Sequence, residues 1–468
     1  MNIYLYNHVL YLGEIMENLL IMGISTRPMV NSALKLNYNT FSVSYFKTLD
    51  FINPFAEKHI LHQEDINSND SFNCGSFEEN YSPLKLLKLS EEYIESIDKI
   101  VFSTGISADD FTGKFSKFKN KIRGNLKTDN VNDKFKFYNK IKNKFNVPLT
   151  FNPSDIYEVV DIATQYTNNP FILKPLKGSG GYGNFVLNNE TLTKLKESNL
   201  DSELFDTFDN GNYLMQEYIF GINLSSSLLS TKYESKNIIN TRLLTSQDFK
   251  YSNVDNTCSD FNNLNFTEND FIYCGNILPL TFDSFSKYNY WFNNLNSIKL
   301  NQDSFYKVNE IMKEVSEDLI SYFNLIGSNG VDFILSKNAL ENDSIDINDL
   351  YPIEINPRLQ GTYESCEQVL GINLLDAHIK ACEGELIDIP NIDKSNFIYS
   401  VKKIEYANSD IKVKNLKLDN VYDIPYENVK IEKNQPIVTI LSADSNLDVA
   451  ISNLNESSEK VKNNIEEI

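Results

Sequence analysis

Residues 351 to 362 read YPIEINPRLQGT, and the fold turns on how this stretch is read. Side chains along a strand alternate between its two faces. Ile353 and Ile355 are then expected to enter a core, with Glu354, Asn356 and Arg358 together on the other face. A carboxylate, an amide oxygen and a guanidinium are poor core material. They suit a divalent cation that carries phosphates, because Mg²⁺ takes oxygen ligands and is usually held by one or two carboxylates plus nucleotide phosphates. The arginine adds a fork for a phosphoryl or carboxylate oxygen. An exposed strand edge with scattered polar residues would give the same pattern, so the flanking sequence has to decide.

About twenty residues earlier, Asn329 to Ser336 (NGVDFILS) is a second strand-like run. Val331, Phe333 and Leu335 share one face, and Asp332 sits on the other beside Ile334. Between the two runs, ENDSIDINDL is polar and turn-rich, as a hairpin connection should be. In an antiparallel pair Asp332 can face Glu354 across the ladder. Two carboxylates there repel unless a cation lies between them. Asp332, Glu354 and Asn356 therefore form a candidate site for Mg²⁺ or Mn²⁺.

GVDFIL followed by EINPRLQGT resembles the metal-binding end of the ATP-grasp superfamily. Across residues 17 to 450 the chain most resembles archaeal-type predicted ATP-dependent carboligases of the carboxylate–amine ligase type. The resemblance implies an α/β (α+β) fold. It also implies an ADP-forming enzyme that activates a small-molecule carboxylate as an acyl phosphate and joins it to an amine, making a carbon–nitrogen bond. Two rivals are a bicarbonate-activating enzyme of the carboxylase type and a non-catalytic nucleotide-binding module.

Composition sets outer bounds. The chain has 468 residues, more than one ordinary core accommodates, so two to four domains are expected. A formal net charge of −21 argues against nucleic acid and anionic membrane surfaces as partners. Five scattered cysteines, an odd number, fit free thiols in a reducing, cytoplasmic setting better than a disulfide framework. No apolar run approaches the roughly eighteen residues of a membrane span. Residues 1 to 15 lack a basic start and a small-residue cleavage site, so a signal peptide is not expected.

From Met16 the pattern is strand, helix, strand: LLIMGIS, then TRPMVNSALKLN with Pro28 in the first turn, then TFSVSYF. KIVFSTG is a later strand. This reads as a parallel α/β unit over 16–127. Gly23 and Ser25 end its first strand, where such sheets bind ligands. The resemblance implies that this unit helps form the acceptor site, and Arg27 and Asp50 are its notable polar residues. His59, His62 and Cys74 fit no standard metal spacing and read as a solvated loop.

Residues 128–215 read as the first ATP-grasp subdomain. Val131, Phe135, Tyr138, Ile141 and Phe145 have helical spacing, with Asn132 as a cap. FILKPLKGSGGYGNFVL places Gly178, Ser179, Gly180, Gly181 and Gly183 between two strands, a loop able to lay backbone N–H groups against phosphate. The resemblance makes this loop a mobile lid. It assigns Lys134 and Lys174 to the phosphates, with Lys174 among the catalytic residues, and Gln216, Glu217, Tyr218 and Ile219 to the adenine-binding hinge. Asn223 stands where many members hold the ribose with a glutamate, and Glu217 competes for that role. Arg358 is the second catalytic candidate.

Residues 216–390 read as the second subdomain. Arg242 is expected to line the acceptor pocket, and DSFYKVNEIMKEVSEDLISYF to form an amphipathic helix. His378 and Cys382 lie at i, i+4, a spacing that suits a metal pair but fits a packed helix better. Residues 391–468 read as a small β appendage ending in one polar, fraying helix. A homodimer is an open expectation.

Overall fold

Short runs with buried apolar residues near the N-terminus build the first sheet. Strands β1 (Glu17–Gly23), β2 (Tyr38–Phe46), β3 (Ala56–Leu61) and β4 (Lys99–Phe102) are all parallel, in the order β3-β2-β1-β4. The helix Arg27–Ala33 follows β1, with Pro28 in its first turn. The computed structural model describes residues 16–52, 54–61, 81–166, 170–178, 180–187, 192–193, 212–251, 268–288, 299–342, 345–390 and 397–468. His62, Cys74, Ser179 and Trp291 lie outside them. His59 is no loop residue: it is buried on β3, its Nδ1 2.7 Å from the Ser44 hydroxyl.

A four-stranded antiparallel sheet follows. It comprises β5 (Thr150–Phe151), β6 (Phe171–Pro175), β7 (Phe185–Leu187) and β8 (Tyr213–Glu217), in the order β5-β8-β6-β7. Ahead of it the expected single helix is two pieces, Asp129–Asn132 and Lys134–Ile141. Asp133, not Asn132, caps the second, accepting from the N–H groups of Phe135 and Lys136. The break shifts the helical phase, so Val131, Phe137 and Ile141 enter the core while Phe135 and Tyr138 stay half-buried.

The central sheet has eight strands. β9 (Gly221–Ser230), β10 (Ser235–Thr245), β11 (Tyr273–Leu278), β12 (Gly327–Ser336), β13 (Leu350–Asn356) and β14 (Tyr399–Tyr406) enter it directly. β15 (Ile411–Val413), β17 (Lys430–Ile431) and β19 (Ile465–Glu467) form a small sheet of their own. β16 (Val421–Tyr422) and β18 (Pro436–Asp444) complete the central one, in the order β13-β12-β9-β10-β11-β14-β18-β16. The C-terminal β segment thus continues the central sheet through β11 and β14. The final helix, Leu447–Lys462, is amphipathic rather than polar. Leu447, Ala450, Leu454 and Val461 are buried against that end of the sheet, and β19 follows instead of a frayed end.

The helix Gln302–Tyr322 forms as its apolar spacing predicts, with Asn301 capping Asp303 and Ser304 N–H groups at 3.0 Å. Phe305, Val308, Met312, Val315, Leu319 and Ile320 bury one stripe against the central sheet. Each such side chain contributes roughly 1.5–3 kcal/mol.

His378 pins the first unit to the central sheet. Its Nδ1 accepts from Ser328 N–H at 2.8 Å, and its Nε2 donates to the Arg123 carbonyl at 2.9 Å. That pairing requires the neutral ring, and burial pushes the imidazole down to about 4. The packed helix, not a metal pair, is the outcome here. An unfolded histidine titrates near 6.5, so the stabilisation is complete above that pH and is lost as pH falls toward 4. The difference amounts to about 3 kcal/mol. Denaturant unfolding should show His378→Gln less stable than wild type at pH 7, with the gap closing by pH 4.5. A pH-independent gap would mean that the ring is not held neutral.

Candidate active site

The two strands that carry the acidic residues are neighbours. β12 and β13 are antiparallel, and Asp332 stands directly opposite Glu354. Val331, Phe333 and Leu335 point into the core beneath. A bulge falls beside this pair: Phe333 aligns with Pro352, leaving Ile353 as the extra residue. Alternation therefore breaks at Ile353, which is half-buried, while Pro352 and Ile355 are buried. Core entry of Ile353, expected from simple alternation, is corrected by the bulge.

Every oxygen of Asp332 has a partner. Oδ1 accepts from Ser225 Oγ at 2.6 Å and Oδ2 from Asn356 Nδ2 at 2.9 Å. Burial, and next the charge of Glu354, nevertheless push its carboxyl up to about 7. Two acids crowded in this way are what a divalent cation would relieve. The donor set, two carboxylates and an amide, is the all-oxygen kind that Mg²⁺ takes. Among the described residues no group of three or more His, Cys, Asp and Glu side chains is placed for a metal. The Asn356 amide turns its nitrogen to Asp332, and its oxygen receives Arg358 Nη2 at 3.0 Å. A half-turn of that amide would present the oxygen to a cation.

Cations face this pair, Lys134 from the start of the helix Lys134–Ile141 and Lys174 from β6. Lys134 Nζ lies 3.7 Å from Glu354 and donates to the Gly178 carbonyl at 3.0 Å. Lys174 donates to Gln216 Oε1 at 2.8 Å, and Gln216 is fixed in turn by Thr150 at 2.9 Å. Burial first, then the charge of Lys134, pull the Lys174 ammonium down to about 8, with Glu354 opposing. Lys134, Lys174 and Glu354 therefore share one cleft between the two sheets. Arg358 sends its other arm, Nη1, to the Leu359 carbonyl at 3.2 Å.

The glycine loop bends over the cleft. Gly180 accepts from the N–H of Tyr273, the first residue of β11, at 2.9 Å. Gly181 has φ +81°, and a Cβ there would stand 1.8 Å from the Phe271 carbonyl oxygen. Only glycine permits that approach. Tyr182 and Tyr406 are bonded, and Tyr406 donates to the Tyr273 carbonyl at 2.9 Å.

In the segment expected to form the hinge, Glu217 and Tyr218 give their N–H groups to Leu149 and Pro170. The Glu217 carboxylate accepts from Leu149 N–H at 3.2 Å. The Tyr218 ring packs at 5.0 Å from Phe220 and 6.1 Å from Phe271, an aromatic wall not foreseen from sequence. Asn223 is half-buried on β9, opposite Ile334.

Two arginines fall elsewhere than expected. Arg242 is 1% exposed, pairs with Asp248, and donates to the Asn223 carbonyl at 2.9 Å. It lies in register with Leu224 and Ile277, on the face away from Asp332, so it does not line an acceptor pocket. Arg27 is also buried. Its guanidinium meets Asp423 at 2.7 Å, Glu364 at 2.9 Å and Asp50 at 3.4 Å. Its charge holds helix Tyr363–Leu370 and the 421–424 turn to the first sheet. Sequence reasoning also passed over Ser225 and Gln360. Ser225 hydroxyl orients Asp332, and the Gln360 amide lies between Ser225 and Ser227. The only signal was the serine run in GINLSSSLLS.

The model of the ATP-grasp domain matches residues 131–296 and 296–362, which hold Lys134, Lys174, Asp332, Glu354, Asn356 and Arg358. Residues 131–362 form an ATP-grasp domain. An uncharacterized protein of Methanocaldococcus jannaschii is 26% identical over 451 residues, covering 95% of this chain and 92% of that one. Biotin carboxylase from Campylobacter jejuni, solved as a beta-gamma-ATP complex, superposes with a TM-score of 0.62 at 16% identity, over 94% of this chain and 91% of its own. N5-carboxyaminoimidazole synthase from Aspergillus clavatus, solved with ADP and 5-aminoimidazole ribonucleotide, gives 0.60 at 11% identity, over 95% and 99%. At these identities the ATP-grasp fold is the shared property. No helix among the described residues is long and apolar enough to cross a membrane.

Proposed function

We propose that this ATP-grasp protein is a Mg²⁺- and ATP-dependent carboxylate–amine ligase acting on small molecules. The observation that carries the reading is the facing pair Asp332 and Glu354, opposed across one cleft by Lys134 and Lys174. The acids accumulate negative charge that a nucleotide-bound cation would neutralise, and the lysines suit the phosphates. A cation held by Asp332, Glu354 and Asn356 would supply charge neutralisation at the β- and γ-phosphate oxygens.

In the proposed reaction, a carboxylate oxygen attacks the γ-phosphorus. The bond to the bridging oxygen breaks, and ADP leaves with that electron pair. The amine then attacks the acyl carbon, a C–N bond forms, and phosphate departs. The amine proton passes to the departing phosphate or to water. No protein nucleophile is required. Lys174 and Lys134 position the phosphates, and Arg358 meets charge that moves during transfer. The glycine loop excludes water.

The test is ADP release with pooled carboxylates and pooled primary amines under Mg-ATP. Release that needs both pools supports the ligase. Release with bicarbonate alone would point to the carboxylase-type reaction, and no release under any condition to a nucleotide-binding module.

Loop closure has its own test. Lys177, beside the glycines, is 71% exposed. Tryptic cleavage there should slow roughly tenfold with Mg-ATP, in the manner of closing lids. Gly181→Ala should lose that protection, because its Cβ collides with Phe271. Equal cleavage rates with and without nucleotide in the wild type would count against a lid.

A further inference from the structure

The row of residues that begins at the acids does not stop at Ser225. Glu354, Asp332, Ser225 and Thr241 stand in register across β13, β12, β9 and β10. Thr241 is fully buried, and its hydroxyl has no partner among the described residues. On the next strand, Asn276 is also fully buried, and its Oδ1 has none either. Asn276 Nδ2 donates to the Tyr273 hydroxyl at 2.6 Å. That oxygen is then an acceptor, and its own proton finds no acceptor among the described residues. A buried polar group without a partner loses free energy that a ligand can restore.

Of these three residues, Tyr273 meets the loop that carries Arg358. The Tyr273 ring lies 3.2 Å from where a Cβ on Gly361 would stand. Tyr273 is near enough to Asp332 for that charge to add to the rise in its phenol pKa, which is due first to burial. The glycine loop closes on Tyr273 itself, through the Gly180 carbonyl. The patch is therefore beside the acids and under the lid.

Its chemistry is uncharged. The cations around it are engaged: Lys402 with the Gly361 carbonyl at 3.1 Å and Glu364 at 3.3 Å, and Arg27 with Asp423, Glu364 and Asp50. What remains unpaired, and buried, is a carbonyl acceptor and a hydroxyl, beside a phenol proton. That set fits an N–H beside an oxygen and does not fit a phosphate.

We propose that Thr241, Tyr273 and Asn276 form the amine-acceptor subsite of the ligase, with Asn276 Oδ1 taking an N–H of the amine and the Tyr273 hydroxyl donating to an adjacent oxygen of an unphosphorylated acceptor. The inference rests on the ligase reading above.

The test uses two probe pools, unphosphorylated primary amines and phosphorylated amines, each with Mg-ATP and the pooled carboxylates. Wild type should release ADP with the unphosphorylated pool. Asn276→Leu should raise the amine concentration for half-maximal release roughly thirtyfold, the scale of losing a buried hydrogen bond. Tyr273→Phe, which removes one oxygen and keeps the packing, should raise it about fivefold. Half-saturation by the carboxylates, and Mg-ATP affinity by calorimetry, should stay within about threefold in both variants. An amine dependence unchanged in both variants, or activity confined to the phosphorylated pool, overturns the subsite and leaves the ligase reading standing. No amine-dependent release by the wild type overturns both.

Discussion

Glu354→Gln is expected to abolish turnover, with kcat down at least a thousandfold, about 4 kcal/mol at 1.36 kcal/mol per decade. The side chain is 23% exposed and faces Asp332 and Lys134, so it contributes little to the core. Glutamine keeps its shape and removes its charge. One of two anionic oxygen donors is then gone, and a neutral amide is a far weaker ligand for a hard cation. Folding should not suffer. Glu354 raises the Asp332 pKa by repulsion, so its neutralisation relieves a like-charge contact. The 3.7 Å contact with Lys134 that is lost is a long one between two part-exposed side chains and is worth little. Thermal unfolding should therefore match wild type or rise slightly while ADP release vanishes at saturating Mg²⁺. Activity within a few-fold of wild type would sink the metal assignment. Lost activity together with lost stability would make Glu354 a structural residue.

Arg358→Lys is expected to bind Mg-ATP within about threefold of wild type yet lose on the order of a hundredfold in kcat, roughly 2.7 kcal/mol. The guanidinium reaches two acceptors at once, Asn356 Oδ1 at 3.0 Å and the Leu359 carbonyl at 3.2 Å. An ammonium keeps the charge and loses the fork. Arg358 thus aims the Asn356 amide as well as presenting charge to the cleft. Neither function is felt strongly by ATP at rest. Both matter when phosphoryl charge moves, and a contact stronger in the transition state appears in kcat rather than affinity. Calorimetry beside the rate of ADP release separates the cases. Collapsed affinity with kcat preserved would make Arg358 a ground-state anchor. No change in either would make it structural.

Local patterns were legible in the sequence wherever one periodicity ran without interruption. NGVDFILS alternates cleanly, and its apolar face is the core face. The long amphipathic helix and the β6–β7 pair around the glycines follow their patterns too. Where periodicity was interrupted, residue spacing misled. The bulge at Ile353 moved one isoleucine out of the core, and the break at Asp133 exchanged Phe135 for Phe137. A bulge or a helix break is settled by the partner strand or the capping side chain, and neither is encoded at the position that shifts.

The sequence by itself determined the chemistry that could gather here: two acids and an amide at strand spacing, lysines ahead of a glycine loop, an arginine two positions past the amide. It determined the family as well, because those motifs recur in order. Only the tertiary structure decided which charges are open to a ligand. Arg27 and Arg242 looked available in the sequence, but folding surrounds Arg27 with carboxylates from Asp50, Glu364 and Asp423, up to 396 positions away, and closes Arg242 on Asp248. Conversely Thr241, Tyr273 and Asn276 carry no motif, and the unpartnered Thr241 hydroxyl and Asn276 Oδ1 arise only when β10 and β11 pack into the fold. The reason is physical: a side chain's type sets what it can bind, but its burial and its neighbours set what remains unsatisfied, and those come from contacts between segments distant in the chain.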